Sequence, residues 1–147
     1  MKRPLPAAAL ATVLLATAAA PSVADAKQYK GKTSQKFRAN VRTGADGVVN
    51  RVQIGWRAPC GGGVRYQNDT TFRPVLDVAT ADAVQDAGTY RERVRGGYRA
   101  RITTSLAGQR DPATDTWSGT LVVKVLVAKK GKVVDRCELK RATWTSK

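Results

Sequence analysis

The sequence predicts an all-β chain: an antiparallel two-layer β-sandwich, with a small closed β-barrel as the alternative. Three observations lead there. Apolar and polar residues alternate with a period of two over most of the chain, and no stretch repeats at helical spacing. Glycine-bearing turn signals divide these runs into about seven or eight short strands. Two cysteines, Cys60 and Cys137, stand far apart, as a bridge between sequence-distant strands requires.

The chain opens with a leader. Lys2 and Arg3 are followed by an apolar stretch from Ala7 to Ala20, and Ala24-Asp25-Ala26 has the small-x-small pattern of a cleavage site. Residues 1–26 are therefore expected to be a signal peptide, and 27–147 a single exported domain. The apolar run is too short and alanine-rich for a membrane span.

From Phe37, Ala39 and Val41 on one face, the chain turns at Gly44-Ala45-Asp46-Gly47. It returns with Val48, Val52, Ile54, Trp56 and Ala58 on one face, giving an antiparallel hairpin. Pro59-Cys60-Gly61-Gly62-Gly63 ends that strand, and Val64 to Phe72 forms the next. Arg73 to Gly88 reads as irregular, a short helical turn over Thr80 to Asp86 being the alternative. Between Thr89 and Leu106, a two-residue turn at Gly96-Gly97 would put arginines on the apolar face. A three-residue loop, Arg95-Gly96-Gly97, instead pairs Val94 with Tyr98, Glu92 with Ala100 and Tyr90 with Ile102, with Gly97 left-handed. The same form at Lys129-Lys130-Gly131 joins strands Trp117 to Ala128 and Lys132 to Thr145. It pairs Val127 with Val133 and Val123 with Cys137, and it leaves Asp135 inward without a partner unless a bulge intervenes.

Lys and Arg number 26 against 11 Asp and Glu, and the chain has no histidine. Without Lys2, Arg3 and Asp25, the exported part keeps a net charge of +14. A field of that sign attracts polyanions such as wall polymers, acidic polysaccharides and nucleic acid. Outside the cytoplasm, Cys60 and Cys137 are expected to form one disulfide. The absence of histidine removes the serine–histidine and cysteine–histidine designs and the commonest zinc ligand. Carboxylate pairs remain, but Asp111 with Asp115 reads as a polar loop, and Asp82 with Asp86 is too few ligands for calcium. Gly61-Gly62-Gly63 lacks the lysine and helix of a phosphate loop. Asn68-Asp69-Thr70 fits an N-glycosylation acceptor pattern.

Tyr29-Lys30-Gly31-Lys32-Thr33-Ser34-Gln35, Trp56 followed by Cys60, Gly88-Thr89-Tyr90, and Cys137 with Trp144-Thr145 together resemble a group of small secreted actinobacterial proteins. The resemblance implies an exported, compact all-β protein with one disulfide. It supplies no catalytic residues.

The sharpest functional signal is the arginine hairpin. In the register above, Arg91 faces Arg101 and Arg93 faces Arg99, and like charges directly opposite oppose folding. These four residues, with Lys129, Lys130 and Lys132 as an annex, are the expected binding site for an anionic polysaccharide or cell-wall polymer. The protein is then a monomeric, non-enzymatic secreted domain with no cofactor and no metal. The competing classes are an adhesive envelope protein acting through protein contacts and a neutral-glycan module using Tyr66, Tyr90, Tyr98 or Trp144. Trp56 and Trp117, in phase with apolar neighbours, are expected in the core.

Overall fold

A computed structural model of the chain describes residues 25–74 and 78–147. The expected signal peptide therefore lies, but for its last two residues, outside the described residues. Those residues form β1 (Gln28–Thr33), β2 (Arg38–Thr43), β3 (Val49–Pro59), β4 (Arg65–Phe72), β5 (Val78–Ala79), β6 (Ala83–Val94), β7 (Tyr98–Asp111), β8 (Thr116–Lys129) and β9 (Lys132–Ser146). All pairings are antiparallel, in one sheet ordered β4-β3-β2-β1-β9-β8-β7-β6-β5. The chain is all-β, as expected. Its strands curl as one sheet toward closure, which is the barrel alternative rather than two separate layers.

Closure fails at one seam. β4 and β6 face each other without a backbone ladder among the described residues, and side chains join them instead. The Tyr66 hydroxyl and the Asn68 amide both donate to Glu92 Oε2, at 3.0 and 2.7 Å. The Thr70 and Tyr90 hydroxyls meet at 2.9 Å, and Trp56 Nε1 donates to Thr70 Oγ1 at 2.8 Å. Burial, reinforced by the Glu92 carboxylate, pushes the Tyr66 hydroxyl well above its ordinary pKa, and burial likewise raises Tyr90. The Tyr66 phenol therefore keeps the proton it donates to Glu92. With its side-chain amide on Glu92 and its Thr70 buried, the Asn68 acceptor pattern sits inside a strand.

The short β1–β2 hairpin explains where the disulfide lies. Its turn after Thr33 stops while β3 and β9 continue. Gln35 from that turn covers the exposed β3 edge, with its side chain donating to Arg57 O at 2.8 Å and accepting from Arg57 N at 2.9 Å. Beyond it β3 and β9 meet directly. Cys60 and Cys137 form an isolated antiparallel bridge, their Cα atoms 3.9 Å apart, closed by the expected disulfide.

The interior is solid. Trp56, Trp117 and Trp144 are all buried, packed with Ile54, Ile102, Leu106 and Leu121. Trp144, which alternation alone does not place, lies in the cross-strand row Val84, Gly108, Gly119, Trp144. Its indole occupies the space that two glycines on adjacent strands leave open.

Several local expectations are corrected. Val49, not Val48, is buried, because the β2–β3 register shifts: Thr43 pairs with Val49 and Arg42 with Arg51, leaving Asn50 as the extra residue. Phe37 packs outside, covering Gly55 beneath the Arg57 guanidinium. Ala83 to Gly88, expected to be irregular, belongs to β6, and the Thr80–Asp86 helical turn is absent. Lys130-Gly131 is a two-residue turn with φ of 49° and 81°, so Ala128 pairs with Val133, Val125 with Cys137 and Val123 with Leu139. A register shift beside Val127 makes Val134 the extra residue, so the bulge invoked for Asp135 exists one position earlier. Asp135 has partners: Gly61 N and Arg136 N donate to its Oδ1 at 3.0 and 2.7 Å.

At the end opposite the disulfide, Asp115 gathers Lys27 Nζ (3.3 Å), the Tyr29 hydroxyl (3.1 Å) and Arg110 (2.7 Å). The Arg110 hydrogen bond holds its carboxyl below the ordinary aspartate range, with Tyr29 and Lys27 assisting. A carboxylate with a depressed folded pKa contributes stability above its unfolded pKa, roughly 4, and loses that contribution as pH falls through the folded value. Asp115→Asn should therefore lower urea stability at pH 7, while the gap to the parent closes in acid below that unfolded value. The side chain is 44% exposed, which limits the effect. A gap unchanged between pH 7 and pH 2.5 would show that the ion cluster is not the cause.

Candidate functional site

The β6–β7 hairpin has the register read from the sequence. Val94 pairs with Tyr98, Arg93 with Arg99, Glu92 with Ala100, Arg91 with Arg101 and Tyr90 with Ile102. Gly97 takes the left-handed conformation, φ 79°, that a three-residue loop needs. Ala100 and Ile102 are buried, so strand alternation turns Arg91, Arg93, Arg99 and Arg101 outward, and all four are exposed. Directly opposed residues hold their Cβ atoms about 5 Å apart, and same-face neighbours along a strand are about 6.8 Å apart. The four guanidiniums thus share a compact patch. None of them makes an ion pair among the described residues. The salt bridges that do form involve Lys27, Arg38 and Arg110, all on other parts of the molecule.

Continuing the rows across β8 and β9 enlarges the patch. Arg91 and Arg101 align with Leu126 and then Arg136, and Thr89 and Thr103 align with Lys124 and then Glu138. Arg136 and Lys124 are exposed basic residues of the same face that the sequence reading missed. Both face outward in either β8–β9 register; it is the β7–β8 pairing, which alternation does not supply, that sets them beside the arginines.

The lysine annex divides. Ala128, not Lys129, shares the outward phase with Arg99. Lys129 lies opposite Tyr98, its Nζ 4.5 Å from the ring centroid and 3.4 Å from the hydroxyl, and Lys132 pairs with Lys129 on that same face. Lys130 sits at the hairpin tip. The arginines and these lysines therefore do not form one continuous surface.

Other candidate chemistries find structural employment. Asp111 accepts from Thr114 Oγ1 and Ala113 N, and these bonds hold its carboxyl below the ordinary range, as a turn residue's would be. Asp82 stands 3.7 Å from Arg110. No group of three or more potential metal ligands occurs among the described residues. In the glycine run, Gly61 N donates to Asp135 and Arg136 O, and Gly63 N to Cys60 O, which takes two of the run's three backbone donors away from an anion cradle. Trp144 is core, and Tyr66 and Tyr90 are half-buried at the seam. No described helix is long and apolar enough to cross a membrane.

No family model, curated protein or solved structure matches this chain.

Proposed function

We propose that this chain is an exported, non-enzymatic domain that binds an extended anionic polymer of the cell envelope through Arg91, Arg93, Arg99 and Arg101, with Arg136 and Lys124 extending the face. One observation carries the reading: two pairs of arginines stand directly opposite each other in register, exposed and without a carboxylate partner among the described residues. Like-charge pairs across strands disfavour the fold by roughly 0.2–1 kcal/mol each. Folding does not ask for them, whereas a chain of regularly spaced anions does. Guanidinium groups suit such a partner because each offers a planar fork of donors to phosphate or carboxylate. The leader-like first 26 residues and the single disulfide support export.

The test is retention of the disulfide-intact protein on immobilised poly(glycerol phosphate) and polygalacturonate, with dextran as the neutral control. Four released counterions predict that raising salt from 50 to 200 mM weakens binding on the order of a hundredfold. The variant Arg91→Ser/Arg93→Ser/Arg99→Ser/Arg101→Ser should lose retention at all salt concentrations while melting no lower than the parent, since it removes repulsion. Retention unaffected by salt or by the four substitutions would overturn the assignment.

A further inference from the structure

The open end of the barrel beside the disulfide carries a second site of different chemistry. Here the ends of β3, β6 and β8 and the starts of β4, β7 and β9 surround a cleft of about 530 Å³. Its walls are Val64, Tyr66, Val94, Tyr98, Val127 and Val134. Tyr66 forms the floor, stacked on buried Trp56 with centroids 6.0 Å apart. Because the three tryptophans fill the barrel below it, the cleft is shallow and takes an occupant only at the mouth.

Two independent features mark it as a binding site. The large hydrophobic side chains most exposed among the described residues are Val64 at 65% and Val134 at 54%, with Val133 at 48%, and the first two line this cleft. Val134 is exposed because it is the extra residue at the β8–β9 register shift, so a local break in the ladder delivers it there. The rim, in turn, is cationic. Arg65, Arg95 and Lys129 border the apolar walls, and none of the three forms an ion pair among the described residues. The one carboxylate among the described lining residues, Asp135, is already held by two backbone N–H groups, and Glu92 behind the lining is taken by the Tyr66 hydroxyl and the Asn68 amide.

We infer that this cleft binds a small aliphatic carboxylate, its chain lying against the valines and tyrosines and its head group meeting Arg65, Arg95 and Lys129. Four valines against two tyrosines favour an alkyl body over a flat aromatic one. Three cations without a carboxylate partner among the described residues select an anionic head over a neutral or cationic one. The patch of arginines on the outer face of β6 and β7 takes no part, so this site stands or falls separately from the polymer-binding reading.

Decanoate below its micellar concentration is the probe, titrated into the disulfide-intact protein by calorimetry and by tryptophan fluorescence, with decanol and decyltrimethylammonium as controls. One saturable equivalent of decanoate is expected, with both controls at least tenfold weaker. Val64→Glu/Val134→Glu should weaken decanoate at least tenfold, and Arg95→Glu severalfold. These positions are exposed, so circular dichroism should show an unchanged fold. The four-serine variant of the outer face should bind decanoate like the parent. Equal binding of decyltrimethylammonium, or decanoate binding indifferent to the glutamates, would overturn the proposal. So would a concentration-dependent dimer that the glutamates dissociate, which would make a second copy of this chain the occupant.

Discussion

Replacing both bridge cysteines, Cys60→Ala with Cys137→Ala, should cost about 4 kcal/mol of stability, the chain-entropy value for a closed loop of this length. For a domain of this size that corresponds to a melting temperature lower by on the order of 15 °C. The architecture gives a reason to expect the full figure. The loop the bridge closes, with a sequence separation of 77, contains β4 to β8 and therefore the whole unladdered seam. On the β1–β2 side, that hairpin ends before the bridge is reached, and the Gln35 side chain covers the β3 edge there. The disulfide thus joins β3 to β9 where the sheet has no intervening strand. Urea and thermal melts of the double variant, beside the parent with and without reductant, measure the effect. A loss below about 1 kcal/mol would show that the Tyr66, Asn68, Thr70 and Tyr90 hydrogen bonds already hold the barrel closed.

Which parts of this geometry were legible in the sequence follows from how strongly each wrong register is penalised. At β6–β7, slipping by one residue puts arginines into the core, so charge and the position of Gly97 together fix the pairing that is found. At β8–β9 no such penalty exists. Lys129-Lys130-Gly131 serves a two-residue or a three-residue turn equally well, and Cys137 ends up inward in both, opposite Val123 in the three-residue register and, because Val134 is extra, opposite Val125 in the two-residue one. The inward cysteine was therefore predicted correctly from a pairing two positions out. Which basic residues join the arginines depends instead on the β7–β8 pairing, which alternation does not supply: it brings in Lys124 and, through Leu126, Arg136, and it sets Lys129 opposite Tyr98. Layer number was illegible for a further reason. A sandwich and a barrel both demand one apolar face per strand, and alternation carries no record of which strands are neighbours. Trp144 shows the limit most plainly: with Cys137 and Leu139 inward, strict alternation turns it outward, and a second register shift, between Leu121 and Val123, is what brings Ala142 and Trp144 into the core.

That arrangement leads to the second large effect. Gly119→Ala should destabilise the protein by about 3 kcal/mol, at the upper end of the range for overpacking a filled core. A Cβ at Gly119 would run into the Ala107 carbonyl of the paired strand and come within 2.6 Å of the Trp144 indole. The carbonyl is backbone in the middle of the β7–β8 ladder, so relief requires moving a strand. Gly108→Ala differs in kind: its Cβ would meet only the indole, at 2.5 Å, and Val84 at 3.1 Å, both side chains. Shrinking the ring separates the two cases. Trp144→Phe costs volume but no hydrogen bond, because the buried indole Nε1 has no acceptor among the described residues. In a double-mutant cycle it should offset part of the Gly108→Ala penalty, with a coupling of about 1 kcal/mol or more, and recover far less at Gly119. Equal rescue at both sites would mean that the indole alone sets the requirement for glycine. No rescue at Gly108 would mean that the Trp144 ring does not lie across the two strands as described.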